Sequence, residues 1–196
     1  MKTLRETFEE NYMAVEEPCN NKKGFRIRYV YTGVWYGWGA EDMRRRKRLL
    51  AALCACGVSL LLLGGMIDSP LNAAGIVQIP AMLALAAAVF EAFGVIQFCA
   101  AKERISKMDF DDVNTKLRAA SLLHAALLWF AAAAGAFLLV TGDYGWRDAA
   151  VPLLFCLSAV SAFILWLRYR ELPQKKTKNE AAKAALARQA SPARKP

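Results

Sequence analysis

The stretch RRRKRLLAALCACGVSLLLLGGMI, residues 44–67, decides the fold. Its first five residues are all basic, and the nineteen after them, Leu49 to Ile67, carry no charge. A helix rises about 1.5 Å per residue, so roughly 20 apolar residues cross a hydrocarbon core about 30 Å thick. An uncharged run of that length behind a block of positive charge reads as a membrane span with its basic edge held back from translocation.

Three more blocks of the same kind come later in the chain. Ile76–Ala101 holds 26 residues with one charge, Glu91; Ala119–Val140 holds 22 with a single titratable group, His124; Ala149–Leu167 holds 19 and is uncharged. The chain as a whole is 56% hydrophobic, and that content is gathered into blocks instead of short periodic segments, which marks the membrane class. The expected architecture is an all-α integral membrane protein, a four-helix transmembrane bundle. Its spans are 49–67, 76–101, 119–140 and 149–167 within a domain 49–168, between an N-terminal segment 1–48 and a basic tail 169–196.

Basic residues fix the expected orientation. Five precede the first span, and five more (Lys102, Arg104, Lys107, Lys116, Arg118) lie between the second and third. Six come after the fourth: Arg168, Arg170, Lys175, Lys176, Lys178 and Lys183. The other two connections, Asp68–Gly75 and Thr141–Asp148, contain only Arg147. Both termini and the middle loop are therefore expected in the cytoplasm, in a multi-pass protein of a bacterial cytoplasmic membrane. The net charge of +9 is then a topology and lipid-surface signal, with nucleic acid a poor reading of it. Arg44, Arg45, Arg46, Lys47, Arg48, Arg168, Arg170, Lys175 and Lys176 are the expected contacts to anionic headgroups. No cleavable leader is expected, since the first apolar run starts at Leu49. Cys19 falls on the cytoplasmic side and Cys54, Cys56, Cys99 and Cys156 inside spans, so no disulfide framework is implied.

The segment before the first span divides in three. Over residues 3–16, Leu4, Phe8, Tyr12 and Val15 recur at helical spacing, and Thr3 and Glu6 match a capping box, predicting a short amphipathic helix with an acidic outer face. Such acidity suits docking on protein better than on an anionic membrane surface. Residues 25–38 alternate Phe25, Ile27, Tyr29 and Tyr31 with Arg26, Arg28 and Val30. A Thr32-Gly33 turn would place Val34, Tyr36 and Trp38 on the same face, predicting a small β-hairpin; the alternative is a run of rings in the headgroup layer. Residues 44–48 form the basic juxtamembrane block. In the middle loop, Asp109, Asp111 and Asp112 read as a solvated turn with a helix cap, and Asn179–Gln189 reads as a loose helix.

Glu91 is the residue most in need of explanation. It lies about 15 Å from the cytoplasmic end of its span, where an ionised carboxylate costs about 2.5–3.5 kcal/mol. Counting the same depth on the other helices reaches Ser59, Trp129 and Ser158 as partners, while Gln97 and His124 fall at a shallower level and could pair with each other. Glu91 is then either structural glue or a proton- or cation-coupling group. No site assembles for nucleophilic, metal or cofactor chemistry, and no phosphate-binding glycine motif occurs. The sequence points to a non-enzymatic multi-pass membrane protein: an accessory or scaffold subunit whose cytoplasmic face recruits a protein partner, or a homo-oligomer. The alternative is a small oligomeric carrier or channel with Glu91 as its coupling group.

Overall fold

The computed structural model describes Glu6, Phe8, residues 11–19 and residues 24–179. Among the described residues, four helices are long and apolar enough to cross a membrane, over Met43–Met66, Gly75–Ala100, Lys107–Thr141 and Trp146–Arg170. The class this defines is a multi-pass membrane protein of helical-bundle type. Helix α1 is Met43–Met66, α2 a single turn Pro70–Ala73, and α3 Gly75–Ala100. Helix α4, Lys107–Thr115, passes through a wide π turn, Lys116–Ala120, into α5, Ser121–Thr141. A 3-10 turn, Trp146–Ala149, leads into α6, Ala150–Arg170. The basic block 44–48 lies in the first turns of α1.

The chain forms two compact units. In the larger, residues 39–101 and 111–173, α1 packs on α3 and α6, and α5 packs on α3 and α6, closing a ring of four helices. Lipid offers no hydrophobic drive between helices, so close approach of small side chains has to supply contact. The buried faces obey that rule. Ala84 and Ala88 of α3, Ala131 and Gly135 of α5, and Ser158 and Ala162 of α6 are small-xxx-small pairs with both members buried. Ala51 and Ala55 of α1 are not, and its buried stripe is Leu50, Cys54, Gly57, Leu61 and Gly64. Two hydroxyls tie α6 to α1: Ser158 Oγ donates to Gly57 O at 2.7 Å and Ser161 Oγ to Leu53 O at 2.9 Å. At one end of the ring, Asn72 Nδ2 donates to Gly64 O and Ile67 O, closing the C-terminus of α1, and Ser69 Oγ bonds Asp148 Oδ1 at 2.5 Å.

The smaller unit comprises residues drawn from 1–38, 102–110 and 174–196. It carries two antiparallel strand pairs. Strand β1, Tyr12–Pro18, pairs with β2, Phe25–Tyr31, and β3, Trp35–Trp38, pairs with β4, Gln174–Thr177. This corrects the expected helix over 3–16 from Tyr12 onward, while residues 3–5, 7, 9 and 10 lie outside the described residues. Glu6, Phe8 and Asn11 are helical, but from Tyr12 the chain is strand. Tyr12 lies opposite Tyr31 and Val15 opposite Arg28, so pairing with an aromatic, β-branched strand overrides a local 3.6-residue stripe. It also corrects the hairpin: residues 25–31 and 35–38 are strands, as their alternation requires, but each has another partner. The amides of Thr32 and Gly33 both donate to Asn11 O, at 2.8 and 3.3 Å, so these residues serve β1 and make no two-residue turn between β2 and β3. The tail helix expected near 179–189 lies outside the described residues but for Asn179.

Tyr31 is the hub of this unit. Its hydroxyl donates to Val34 O at 2.7 Å and accepts from Lys107 N at 3.1 Å, while its carbonyl accepts from Asn179 Nδ2 at 2.8 Å. Burial pushes the phenol pKa above its ordinary value. Ser106 and Asp109 make a reciprocal cap at the start of α4, with Ser106 Oγ donating to Asp109 Oδ2 and accepting from Asp109 N.

Candidate functional site

The buried face of α3 runs Val77, Pro80, Ala84, Ala87, Ala88, Glu91, Gly94, Val95 and Phe98. Steps of three and four place Glu91 on it, and that of α5 begins Ser121, His124, Ala125, Leu128. These two faces meet and bring the one intramembrane acid to the one histidine. His124 Nδ1 and Glu91 Oε2 are 2.9 Å apart, with the side chains 0% and 1% exposed. The buried Cys54 thiol of α1 lies near the same carboxyl. Cys54, Glu91 and His124 thus share one level, each from a different helix.

The approach is set by Gly94, one turn from Glu91. A Cβ built there would lie 2.9 Å from Lys116 Cβ and 3.2 Å from Leu117 Cδ2, both in the π turn. The π turn adds a residue to the helix period just ahead of Ser121 and His124, which rotates α5 about its axis, and such turns cluster at functional positions. At its start, Lys116 Nζ bonds Asp112 Oδ2 at 2.6 Å and Gln97 Oε1 at 3.1 Å, and Gln97 Nε2 donates to Asp112 Oδ2 at 3.1 Å. This polar group is exposed.

The other expected members fall elsewhere. Ser59 and Trp129 are exposed on the outer surface, Trp129 at 46%, and neither reaches Glu91. Ser158 is buried and bonded to α1. Gln97 is committed to Asp112 and Lys116, so its pairing with His124 does not form. Counting depth from Ala119, where apolar sequence starts, sets Glu91 against Trp129. Helix continues back to Lys107, and the register runs Gln97 to Lys116 and Glu91 to His124, five residues short of that count. Cys54, Gly94 and Ser121 are site members that sequence reasoning misses; the available signal is their place at three- and four-residue steps among small residues.

The basic residues are also placed. Arg44, Arg45, Arg48, Arg168, Arg170, Lys175 and Lys176 are exposed, and Arg46 is half-buried. Arg168 pairs with Glu171 at 3.3 Å, and the guanidinium of Arg170 lies 5.3 Å from the Trp166 ring. Lys47 has a different task. Its Nζ donates to Cys99 O at 3.0 Å and Ala101 O at 2.8 Å, capping the C-terminal carbonyls of α3 with a cation. Among the described residues no group of three or more His, Cys, Asp or Glu is arranged to hold a metal ion. Comparison with known proteins returns no matching family model, no matching curated protein and no matching solved structure.

Proposed function

We propose that the chain is a non-enzymatic accessory or scaffold subunit, its termini and middle loop in the cytoplasm, recruiting a protein partner through the unit they build. One observation carries this reading. Chain segments separated by pairs of spans come together in one folded unit, and its strand β2 exposes Phe25, Ile27 and Tyr29 at 40%, 51% and 58%. Alternation puts these three on one face and Arg26 and Arg28 on the other. A two-stranded ribbon is marginal without a surface to cover its apolar face. That face selects the occupant: a protein surface that is apolar where it meets Phe25, Ile27 and Tyr29. The orientation rests on the Lys and Arg distribution, which also favours anionic lipid beneath α1 and α6.

A photo-crosslinking residue at Ile27 in growing cells tests this. The expected product is one protein adduct of fixed stoichiometry, lost on Tyr29→Ser. Lipid adducts alone, as expected at the exposed Leu83 of α3, would overturn it. The second reading, an oligomeric carrier or channel coupled through Glu91, is favoured by the buried Glu91–His124 pair.

A further inference from the structure

Ser121 Oγ and His124 Nε2 are fully buried, and neither has a hydrogen-bonding partner among the described residues. Asn114 Oδ1 is in the same state, but Ser121 and His124 share one helix face and one of them bonds a buried acid, which points to an exchangeable occupant there. They are three residues apart on α5, which makes them neighbours along one face. Ser121 comes directly after the π turn, whose first residue, Lys116, belongs to the exposed group with Asp112 and Gln97.

We propose that Glu91 and His124 form a proton-binding site inside the bundle, loaded and unloaded at His124 Nε2 through Ser121 from the end where Gln97, Asp112 and Lys116 lie. Proton counting selects the atom. The bond between Nδ1 and Oε2 holds one proton whichever side it favours. A pair of zero net charge, which a low-dielectric interior prefers, then carries its second proton on Nε2 in both arrangements, imidazolium with carboxylate or neutral imidazole with carboxylic acid. Release gives that proton to water by way of the Ser121 hydroxyl and leaves carboxylate with neutral imidazole; uptake reverses it, and no redox partner is involved.

The titratable and polar groups on the elements packed around the pair are few. From α1 comes the Cys54 thiol, with Lys47 further along and bound to the α3 carbonyls. From α3 itself come Gln97 and Cys99, and from α4 and the π turn Asp112 and Lys116. From α6 the hydroxyls of Ser158 and Ser161 are directed to α1 carbonyls, and Tyr169 stacks edge-on against Phe98 at 5.7 Å. This site deepens the carrier reading and is independent of recruitment, which the β2 substitutions test separately.

His124 is the single histidine of the chain, so ¹⁵N-histidine labelling of the full protein reports on it without assignment. The sample is the intact chain in nanodiscs of phosphatidylethanolamine and phosphatidylglycerol. The expected result is an Nδ1 that stays hydrogen-bonded across pH and an Nε2 that titrates and exchanges with D2O. Glu91→Gln should change the Nδ1 signal, because the carboxylate bonded to it is gone. Ser121→Ala should slow Nε2 exchange by roughly a hundredfold, the low end of what a positioned proton-transfer group contributes. An Nε2 that neither titrates nor exchanges in the wild-type chain overturns the site. Unchanged exchange in Ser121→Ala, with helical circular dichroism retained, overturns the route. The wild-type spectrum decides the first question even if a variant fails to fold.

Discussion

Replacing Gly94 with alanine challenges the contact that delivers Glu91 to His124. The added Cβ would meet Lys116 Cβ at 2.9 Å, where ordinary contact begins at 3.4 Å, a deficit of 3.4 − 2.9 = 0.5 Å. Lys116 Cβ is anchored to the π-turn backbone and cannot swing aside as a side-chain tip could, so α3 and the π turn must separate. Passed on one turn, the same shift stretches the Glu91–His124 bond from 2.9 to about 3.4 Å, the outer limit for a useful hydrogen bond. Overpacking of this kind costs about 1–3 kcal/mol, and the better helix propensity of alanine returns about 0.5–1 kcal/mol. The net expectation is a loss of about 0–2.5 kcal/mol, centred near 1 kcal/mol. Gly65→Ala is the matched control, because a Cβ there meets nothing within 4 Å and should be neutral or stabilising by about 0.5 kcal/mol. Unfolding in mixed micelles with rising dodecyl sulfate, tracked by circular dichroism, should rank Gly65→Ala highest and Gly94→Ala lowest. A Gly94→Ala protein as stable as Gly65→Ala would refute the close approach of α3 to the π turn.

Three further outcomes are expected. Ser158→Ala removes a 2.7 Å bond from α6 to Gly57 O and should cost about 0.6 kcal/mol in the same assay, the usual size of an interhelical bond in membranes. Lys47→Met strips the cation from the α3 C-terminus, and hydrogen exchange should show fraying there worth about 1–2 kcal/mol, with the remainder of α3 unchanged. Tyr31 has a folded pKa above its ordinary 10.0, so its contribution is fully present below pH 10 and is lost as pH rises through the folded value. Protease nicking within residues 24–38 should therefore increase in alkali, and Tyr31→Phe should flatten that dependence while raising cleavage at neutral pH.

The spans are legible in the sequence because the membrane criterion is one of length and charge, which apolar blocks satisfy without reference to neighbours. Glu91 is legible for the same reason, as a charge where charge is costly. Its partner is legible by type but not by position. Apolar sequence marks where lipid begins, whereas helix register depends on where the helix begins, and residues 107–118 are helical though polar. The strands show the opposite limit. Tyr12–Pro18 and Gln174–Thr177 are strands because of segments elsewhere in the chain, and no local window contains that information. Phe25–Tyr31 is readable as a strand from its alternation, but Asn11, which takes both amides of the supposed turn, lies fourteen residues before Phe25.

How the two helix contacts are held supplies the argument for function at Glu91. Helices α1 and α6 are joined by Ser158 and Ser161, hydroxyls that enter a membrane at little cost and bond to backbone carbonyls. Helices α3 and α5 meet in a core that holds Ala84, Ala88 and Ala131, with Gly94 of α3 close against the π turn, and a serine at position 91 or 124 would have met the same need. The chain instead places there a carboxyl group, which costs about 2.5–3.5 kcal/mol to insert when charged, against an imidazole whose far nitrogen is left without a bond. A neutral pair would hold the helices as well, and the orphaned nitrogen adds nothing to adhesion, whereas proton exchange requires both. If adhesion were the only purpose, Glu91→Gln paired with His124→Asn, which keeps a neutral hydrogen bond and discards the titration, should support full cellular activity; the proton-binding site predicts that it will not.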